Sequence, residues 1–163
     1  MSILKAFQLL VELETFVNYL SVDRGYSGHT LSAYRNDLKS LLEFLSTSES
    51  SDRPTTWKDV IESDIRNFME DLDERGYAPS TKSRKIASAK SFFKFLKEEQ
   101  IIADNPLVDV RQPRAGQSLP KALSIDEVDR LLEMSSKATT AEEARDSAMV
   151  ELMYAAGLRV SEL

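Results

Sequence analysis

Residues 79–100, PSTKSRKIASAKSFFKFLKEEQ, decide the fold class because they have the pattern of one amphipathic helix. A proline followed by a hydroxyl residue is typical of a helix start, and apolar side chains then recur at three- and four-residue steps. The inward positions of this stripe are Ile86, Ala89, Phe93 and Leu96. Phe92 and Phe95 lie off its centre, and we expect one of them to be an exposed contact for a partner.

The same periodicity predicts three helices before this one. The first covers the first twenty or so residues, and the second offers Ser27, His29 or Thr30 as a cap in its first turn. The third starts at Ser63 as N-cap and stops at Gly76. Four helices of this kind can bury one core, so the sequence predicts a helical bundle.

The chain changes character after residue 105. Residues 106–121 contain Pro106, Pro113 and Pro120 with little apolar periodicity, which predicts an extended linker between a domain at residues 1–105 and a second at 122–163. Ser124 and Glu127 have capping-box spacing and start a fifth helix. A sixth covers residues 144–156, and the pattern stops within the start of a seventh, so we expect a truncated second domain. No strand pattern is convincing, and the predicted class is all-α.

Composition removes several function classes. The 163 residues include no Cys and one His, which leaves no disulfide, thiolate nucleophile or Cys- or His-rich metal site. No apolar run reaches the roughly 18 residues of a membrane span, and residues 1–14 lack the pattern of a signal peptide. Nucleotide-binding loops and a Ser-His-Asp set are also missing. We therefore expect a cytoplasmic protein with no membrane association, cofactor or metal.

The charge is sorted along the chain. The formal net charge is −6, which alone argues against a polyanionic partner. Residues 76–97, however, contain six basic residues and no acid, while residues 62–74 contain six acids and Arg66. Because screening hides charges beyond roughly 8–10 Å, the local field of one face matters more than the total.

Helix 79–100 carries a candidate anion-binding surface. Lys90, Lys94 and Lys97 fall within about 60° of one another around the helix. Hydroxyl side chains and free N–H groups at the helix start suit phosphate contacts. A solvated helix face is the alternative, and the charge run alone favours it. The basic side chains of the linker favour DNA. The expected DNA-binding set is His29, Thr30, Ser80, Thr81, Lys82, Ser83, Arg84, Lys90, Lys94, Lys97, Arg111 and Arg114.

The pair His29-Thr30 and a residue near the end of the chain, Arg159, each have a simple structural explanation. The pair His29-Thr30 either caps the second helix or touches a phosphate, and capping is the more common role. Arg159, two residues after the helix-ending Gly157, either has a structural role, in which it pairs with Glu162 or caps carbonyl groups, or takes part in a functional site. Spacing alone favours the structural role.

Five runs together carry a family resemblance. In order, they are HTLSAYRNDLKSLLEFL (29–45), STKSRKIASAKSFFKFL (80–96), NPLVDVRQPRAGQSLPKALS (105–124), LSIDEVDRLL (123–132) and RDSAMVELMYAAGLRVSEL (145–163). They resemble the N-terminal part of tyrosine recombinases of the Xer type, which are related to phage integrases. The last run is the most specific of the five.

The resemblance implies a fold and a reaction. Residues 1–105 would form the SAM-like core-binding bundle that grips double-stranded DNA, and residues from about 122 would begin a mainly α catalytic domain. In this family a tyrosine attacks the scissile phosphate, forms a 3′-phosphotyrosyl bond and releases a 5′-hydroxyl that attacks the partner strand. The reaction needs no metal or nucleotide, and a tetramer of protomers carries it out on two DNA sites.

The resemblance also assigns residues. Arg159 matches the first of two catalytic arginines that bind the non-bridging phosphate oxygens, and Glu162 matches the acid that orients it. The family's Lys, its HxxR motif and its nucleophilic Tyr have no match in these 163 residues, so we expect the chain to bind DNA without cleaving it. Chromosome partition at cell division is the favoured role, with DNA integration and inversion left open.

Two other function classes remain as alternatives. One is a non-catalytic α-helical DNA-binding or regulatory protein, in which GLRVSEL only ends a helix. The other is a protein-interaction module whose lysines maintain solubility. Salt separates the second from the DNA-binding readings, because binding to several phosphates weakens steeply as salt rises.

Overall fold

A computed structural model describes residues 3–47, 54–113 and 122–163, with side chains from residue 9 onward. Within these ranges the chain is helical and contains no strand, which confirms the all-α prediction. The six helices are α1 (Ile3–Val22), α2 (Gly28–Thr47), α3 (Glu62–Glu74), α4 (Pro79–Glu98), α5 (Ile125–Ser135) and α6 (Ala141–Ala156). Short 3₁₀ turns occupy Trp57–Asp59 and Val160–Glu162. The chain divides into two compact units at residue 117.

The first unit is a four-helix bundle in which α2 packs against α1, α3 and α4. Its core contains an aromatic cluster, in which the ring centroid of Phe92 lies 4.8 Å from that of Trp57 and 5.3 Å from that of Phe16. Trp57 Nε1 donates to the carbonyl oxygen of Leu9 at 3.1 Å, which satisfies its polar group inside the core. The expectation that Phe92 or Phe95 is exposed is wrong, since both are buried. Two apolar neighbours, α1 and the Trp57 turn, widen the buried arc of α4 beyond the predicted stripe.

Helix ends follow local hydrogen bonds. The Ser27 hydroxyl accepts from Thr30 N at 3.4 Å and so provides the cap of α2. The prediction of Ser63 as the cap of α3 is wrong, because the N-cap is Ile61, two residues earlier, and the Asp64 carboxylate accepts from Ile61 N at 2.9 Å. Gly76, with φ of +70°, follows the end of α3 as predicted.

The residues after α4 pack onto the first unit. Leu107 and Val110 lie within the range predicted as a linker, and both are buried in the core of the bundle. Their burial anchors residues 106–113 to the bundle and brings Arg111 and Gln112 to its surface. Arg114 lies outside the described residues.

In the second unit α5 and α6 pack against each other. The predicted capping box is confirmed: Ser124 Oγ accepts from Glu127 N at 3.3 Å, and the Glu127 carboxylate accepts from Ser124 N at 2.8 Å. These hydrogen bonds lower the pKa of Glu127. Helix α6 starts three residues before the predicted position, because Thr140 caps it, and it ends at Gly157 with φ of +64°.

Candidate nucleic-acid interface

A groove between α2 and α4 joins two sets of residues that the sequence analysis selected separately. His29 and Thr30 occupy the first turn of α2, and Arg84 lies 54 positions later on α4. The three side chains line one open groove of about 400 Å³. Two small residues of α4, Ala87 and Ser88, also line this groove. The crossing of α2 and α4 therefore places a histidine, a hydroxyl and a guanidinium on one surface.

Arg84 is held at this groove by an acid that the sequence analysis missed. Arg84 Nη1 donates to Asp37 Oδ2 at 2.5 Å, and Ser88 Oγ donates to the same oxygen at 2.9 Å. The Asp37 side chain is 1% exposed, whereas that of Arg84 is 51% exposed. The guanidinium thus has one nitrogen on a buried carboxylate and half of its surface open to solvent.

Lys85 is the third charged residue of this cluster, after Asp37 and Arg84, and it lies inside the bundle. Its Nζ lies 3.6 Å from Asp37 Oδ1, and its side chain is 8% exposed. The ammonium also lies 5.5 Å from the centroid of the Tyr77 ring. Lys85 was one of the six basic residues of segment 76–97, but its burial removes it from any surface that DNA could reach.

The first turn of α4 offers polar groups for an anion. The N-cap position, Ala78, provides no side-chain hydrogen bond, and Ser80 is exposed beside half-buried Thr81. The amide of Gln112 donates to the carbonyl oxygen of Ser83 at 3.1 Å and to its hydroxyl oxygen at 2.9 Å. This contact ties the segment after the bundle to the start of α4.

The lysines of α4 differ in how freely they face solvent. Lys94 is 72% exposed with Glu98 at 3.6 Å, and Lys97 is 50% exposed with Asp104 at 3.8 Å. Lys90 is half-buried and has no carboxylate within 4 Å in the described part of the chain. Lys82 forms an ion pair with Asp73 of α3 and is 19% exposed, so this lysine faces the acidic helix.

Arg111 lies apart from the α2–α4 groove. It is exposed and lines a separate groove on the α3 side together with the acids Glu70, Asp73 and Asp109. Those carboxylates compete with a phosphate for the guanidinium, so this position is less favourable for an anion than the α2–α4 groove.

Arg159 belongs to the second unit and projects into solvent. Its side chain is 82% exposed, and its Nη1 donates to Glu162 Oε1 at 3.0 Å. The backbone N of Arg159 donates to Glu162 Oε2 at 2.7 Å. One carboxylate therefore fixes both the backbone and the side chain of Arg159, which is the contact that the spacing predicted.

Neither a metal site nor a membrane helix emerges from the described ranges. No group of three or more acidic, His or Cys side chains there is placed to hold a metal. None of the helices there combines the length and the apolar character that crossing a bilayer requires.

Comparison with known proteins gives a family match over the bundle. Residues 13–100, more than half of the chain, match the family model described as "Phage integrase, N-terminal SAM-like domain". The matched range contains the α2–α4 groove and the whole of the α4 lysine series.

Relatives extend the similarity to nearly the whole chain. This chain is 42% identical over 152 residues to tyrosine recombinase XerC of Roseiflexus castenholzii. The aligned residues cover 93% of this chain and 47% of the relative. It is also 42% identical over 151 residues to tyrosine recombinase XerD of Oceanobacillus iheyensis, covering 93% and 49%. Tyrosine recombinase XerC of Herpetosiphon aurantiacus is 40% identical to this chain, and the aligned residues cover 93% of this chain and 48% of that relative. The chain spans about half the length of the curated relatives it matches, and the similarity does not separate XerC from XerD.

Proposed function

This chain belongs to the family of the phage integrase N-terminal SAM-like domain, and we propose that it is the DNA-binding N-terminal part of a site-specific tyrosine recombinase of the Xer type. The α2–α4 groove carries the proposal. It brings His29, Thr30 and Arg84 together on an open surface of a chain whose net charge is −6. A local cationic surface of this kind binds a polyanion although the protein as a whole is acidic.

The α2–α4 groove and the exposed face of α4 make different contacts with DNA in this proposal. Arg84 contributes a planar set of donors that fits two phosphate oxygens, while Lys90 and Lys94 add point charges along the helix. His29 and Thr30 contact the backbone at the first turn of α2, where N–H groups also favour anions. Phosphate contacts of these kinds fix the position of the protein on the duplex, and base contacts from α2 and α4 in the major groove supply sequence preference.

In the complete reaction Arg159 binds the scissile phosphate. A tyrosine oxygen attacks phosphorus and forms a new P–O bond, while the bond from phosphorus to the 5′-oxygen breaks and that oxygen leaves as a protonated 5′-hydroxyl. The phosphate stays attached to the DNA through its 3′-oxygen. Negative charge grows on the non-bridging oxygens, and loss of one such donor costs roughly 10²–10³ in rate. Glu162 holds Nη1 of Arg159, and the exposure of the side chain leaves the rest of the guanidinium for phosphate. Protomers assembled on two DNA sites complete the exchange.

The 163-residue polypeptide is expected to bind DNA without cleaving it. The only tyrosine within residues 122–163 is Tyr154, which lies on α6 ahead of Arg159, and this range contains no His. Incubation with a duplex that carries a nick beside the cleavage point traps any phosphotyrosyl product. No slower-migrating covalent adduct should appear on a denaturing gel, and an adduct would show that one of the five tyrosines of the chain is a nucleophile.

Charge reversal on α4 tests the DNA-binding proposal. The double variant K90E/K94E should weaken binding to labelled duplexes of several sequences, because it reverses two charges on the proposed surface. The control K39E/K58E makes the same change in net charge at two exposed lysines on α2 and the Trp57 turn. Thermal unfolding checks that both variants are folded. Equal affinities of wild type and K90E/K94E would contradict the proposal.

A non-catalytic helical DNA-binding or regulatory protein is the second candidate. The similarity to tyrosine recombinases over 93% of the chain favours the recombinase. A role in chromosome partition at cell division, in the cytoplasm, is part of the proposal. Loss of that role should appear as chains of cells with unsegregated chromosomes when the gene is deleted.

A further inference from the structure

We propose that Asp37 is a positioning residue for DNA binding, which holds the guanidinium of Arg84 at the α2–α4 groove. This inference rests on the proposed function and adds a residue to it. Asp37 is 2% exposed, so it makes no direct contact with DNA and must act through its neighbours.

The two carboxylate oxygens of Asp37 have different tasks. Oδ2 accepts from Arg84 Nη1 at 2.5 Å and from Ser88 Oγ at 2.9 Å. Oδ1 is buried without a hydrogen bond and faces Lys85 Nζ at 3.6 Å. One oxygen thus orients the surface arginine, and the other balances the buried ammonium.

The contact between Asp37 and Arg84 is more than a structural ion pair, because Asp37 has a second cation as a partner. A buried carboxylate needs one cation to offset its desolvation, and Lys85 supplies it from inside the bundle. Arg84 is a second cation on the same carboxylate, with a side chain that is 51% exposed. The cluster therefore keeps an excess positive charge at the floor of a groove lined by His29 and Thr30.

A fixed guanidinium binds phosphate better than a free one. A free arginine side chain loses rotamer entropy when it becomes fixed, and a contact that already orders it lowers the cost of ordering it on DNA. Without Asp37, the guanidinium would lie beside the Lys85 ammonium with no intervening anion, and like-charge repulsion would move it out of the groove.

The substitution Asp37→Asn gives a test in which overall charge and positioning predict opposite signs. This change makes the protein less negative by one charge, which alone strengthens DNA binding. Loss of positioning weakens it, and we expect affinity for a labelled duplex of mixed sequence, measured by fluorescence anisotropy in low salt, to fall about tenfold, within the range of couplings between contacting residues.

A double-mutant cycle tests whether Asp37 affects DNA affinity through Arg84. In the background Arg84→Gln, the change Asp37→Asn should alter affinity less than about twofold, because the positioned group is gone. The control Glu14→Gln removes another interhelical ion pair, in which Glu14 accepts from Arg35 Nη2 at 2.8 Å, and should not reduce affinity. A second variant, D37L/K85M, removes both buried charges, leaves the net charge unchanged and should show the same loss if Asp37→Asn fails to fold.

The outcomes separate the two proposals. A wild-type chain that does not bind the duplex overturns the proposed function itself. Binding by the wild type with unchanged or increased affinity in Asp37→Asn, or D37L/K85M in its place, overturns only the role of Asp37. An equal loss in the wild-type and Arg84→Gln backgrounds also overturns it, since Asp37 would then act through the fold and not through Arg84.

Discussion

The salt dependence of DNA binding should distinguish Arg84 from an arginine of the same bundle that is already engaged. Arg84 and Arg35 each lose one positive charge when changed to Gln. Arg35 is bound bidentately by Glu14, with Nε to Oε1 at 2.9 Å and Nη2 to Oε2 at 2.8 Å. On the α2 helix Arg35 lies about 170° away from the groove centre.

The structure sets the size of the expected difference. Each phosphate neutralised by a cation contributes about 0.9 to the slope of log affinity against log salt. Arg84 presents its exposed guanidinium at the groove, so R84Q should lower the slope by about 0.9, whereas R35Q should leave it unchanged. Over a fourfold rise in salt, R84Q should lose about 3.5-fold less affinity than the wild type.

Fluorescence anisotropy with a labelled duplex at four or more salt concentrations measures both slopes. At the lowest salt, R84Q should also bind about tenfold more weakly, because a charge-assisted hydrogen bond is lost. Equal slopes for R84Q and wild type would show that Arg84 neutralises no phosphate. A slope for R35Q as low as that for R84Q would show that only the total charge of the protein matters. It would contradict the proposal that the α2–α4 groove binds DNA phosphates.

Three further predictions concern the stability of the first unit. Phe92→Ala should lower the free energy of unfolding by about 3–5 kcal/mol in denaturant titrations, since its buried ring packs on Trp57 and Phe16, and a loss below about 1 kcal/mol would contradict that packing. Gly76→Ala should cost about 1 kcal/mol through φ strain alone, because nothing lies within 4 Å of the added Cβ; equal melting temperatures would exclude strain. The hydroxyl of Thr55 and nearby backbone N–H groups hold the pKa of Asp59 below its usual 3.8, so its contribution is present above about pH 3.8 and is lost as the pH falls through the lowered pKa. Asp59→Asn should therefore reduce the loss of stability at acid pH, measured by unfolding followed through Trp57 fluorescence. If the loss at acid pH is unchanged, Asp59 does not cause it.

Local signals were sufficient to predict the helices. The apolar stripes of α1 to α4, the Ser124 capping box and Gly157 each depend on residues within four positions of one another. The errors have non-local or competing causes. Phe92 is buried because the Trp57 turn, 35 positions earlier, covers it, and α3 begins before Ser63 because Asp64 caps the backbone N of Ile61.

The groove was predictable only in part. His29, Thr30 and Arg84 were selected by residue type, but nothing in the sequence shows that α2 and α4 bring them together. Asp37 did leave a signal, since it is an acid beside the apolar stripe of α2, as Lys85 is a base within the buried arc of α4. Charges at such positions need partners, and pairing them would have indicated this contact. The link from Gln112 to Ser83 joins segments 29 positions apart and has no comparable signal.

The distribution of ion pairs explains how a chain with a net charge of −6 can present a cationic face. Acids of α3 are partly neutralised nearby, by Arg66 within the helix, by Arg75 at its end and by Lys82 from α4. Beyond Lys82, the outward positions of α4 carry no acid until Glu98. Since screening limits each charge to roughly 8–10 Å, the field over this face depends on its own lysines and on Arg84. Asp37 could cancel that field, but its carboxylate is buried with the Lys85 ammonium 3.6 Å from Oδ1, which offsets its charge from inside the bundle, and the groove stays positive.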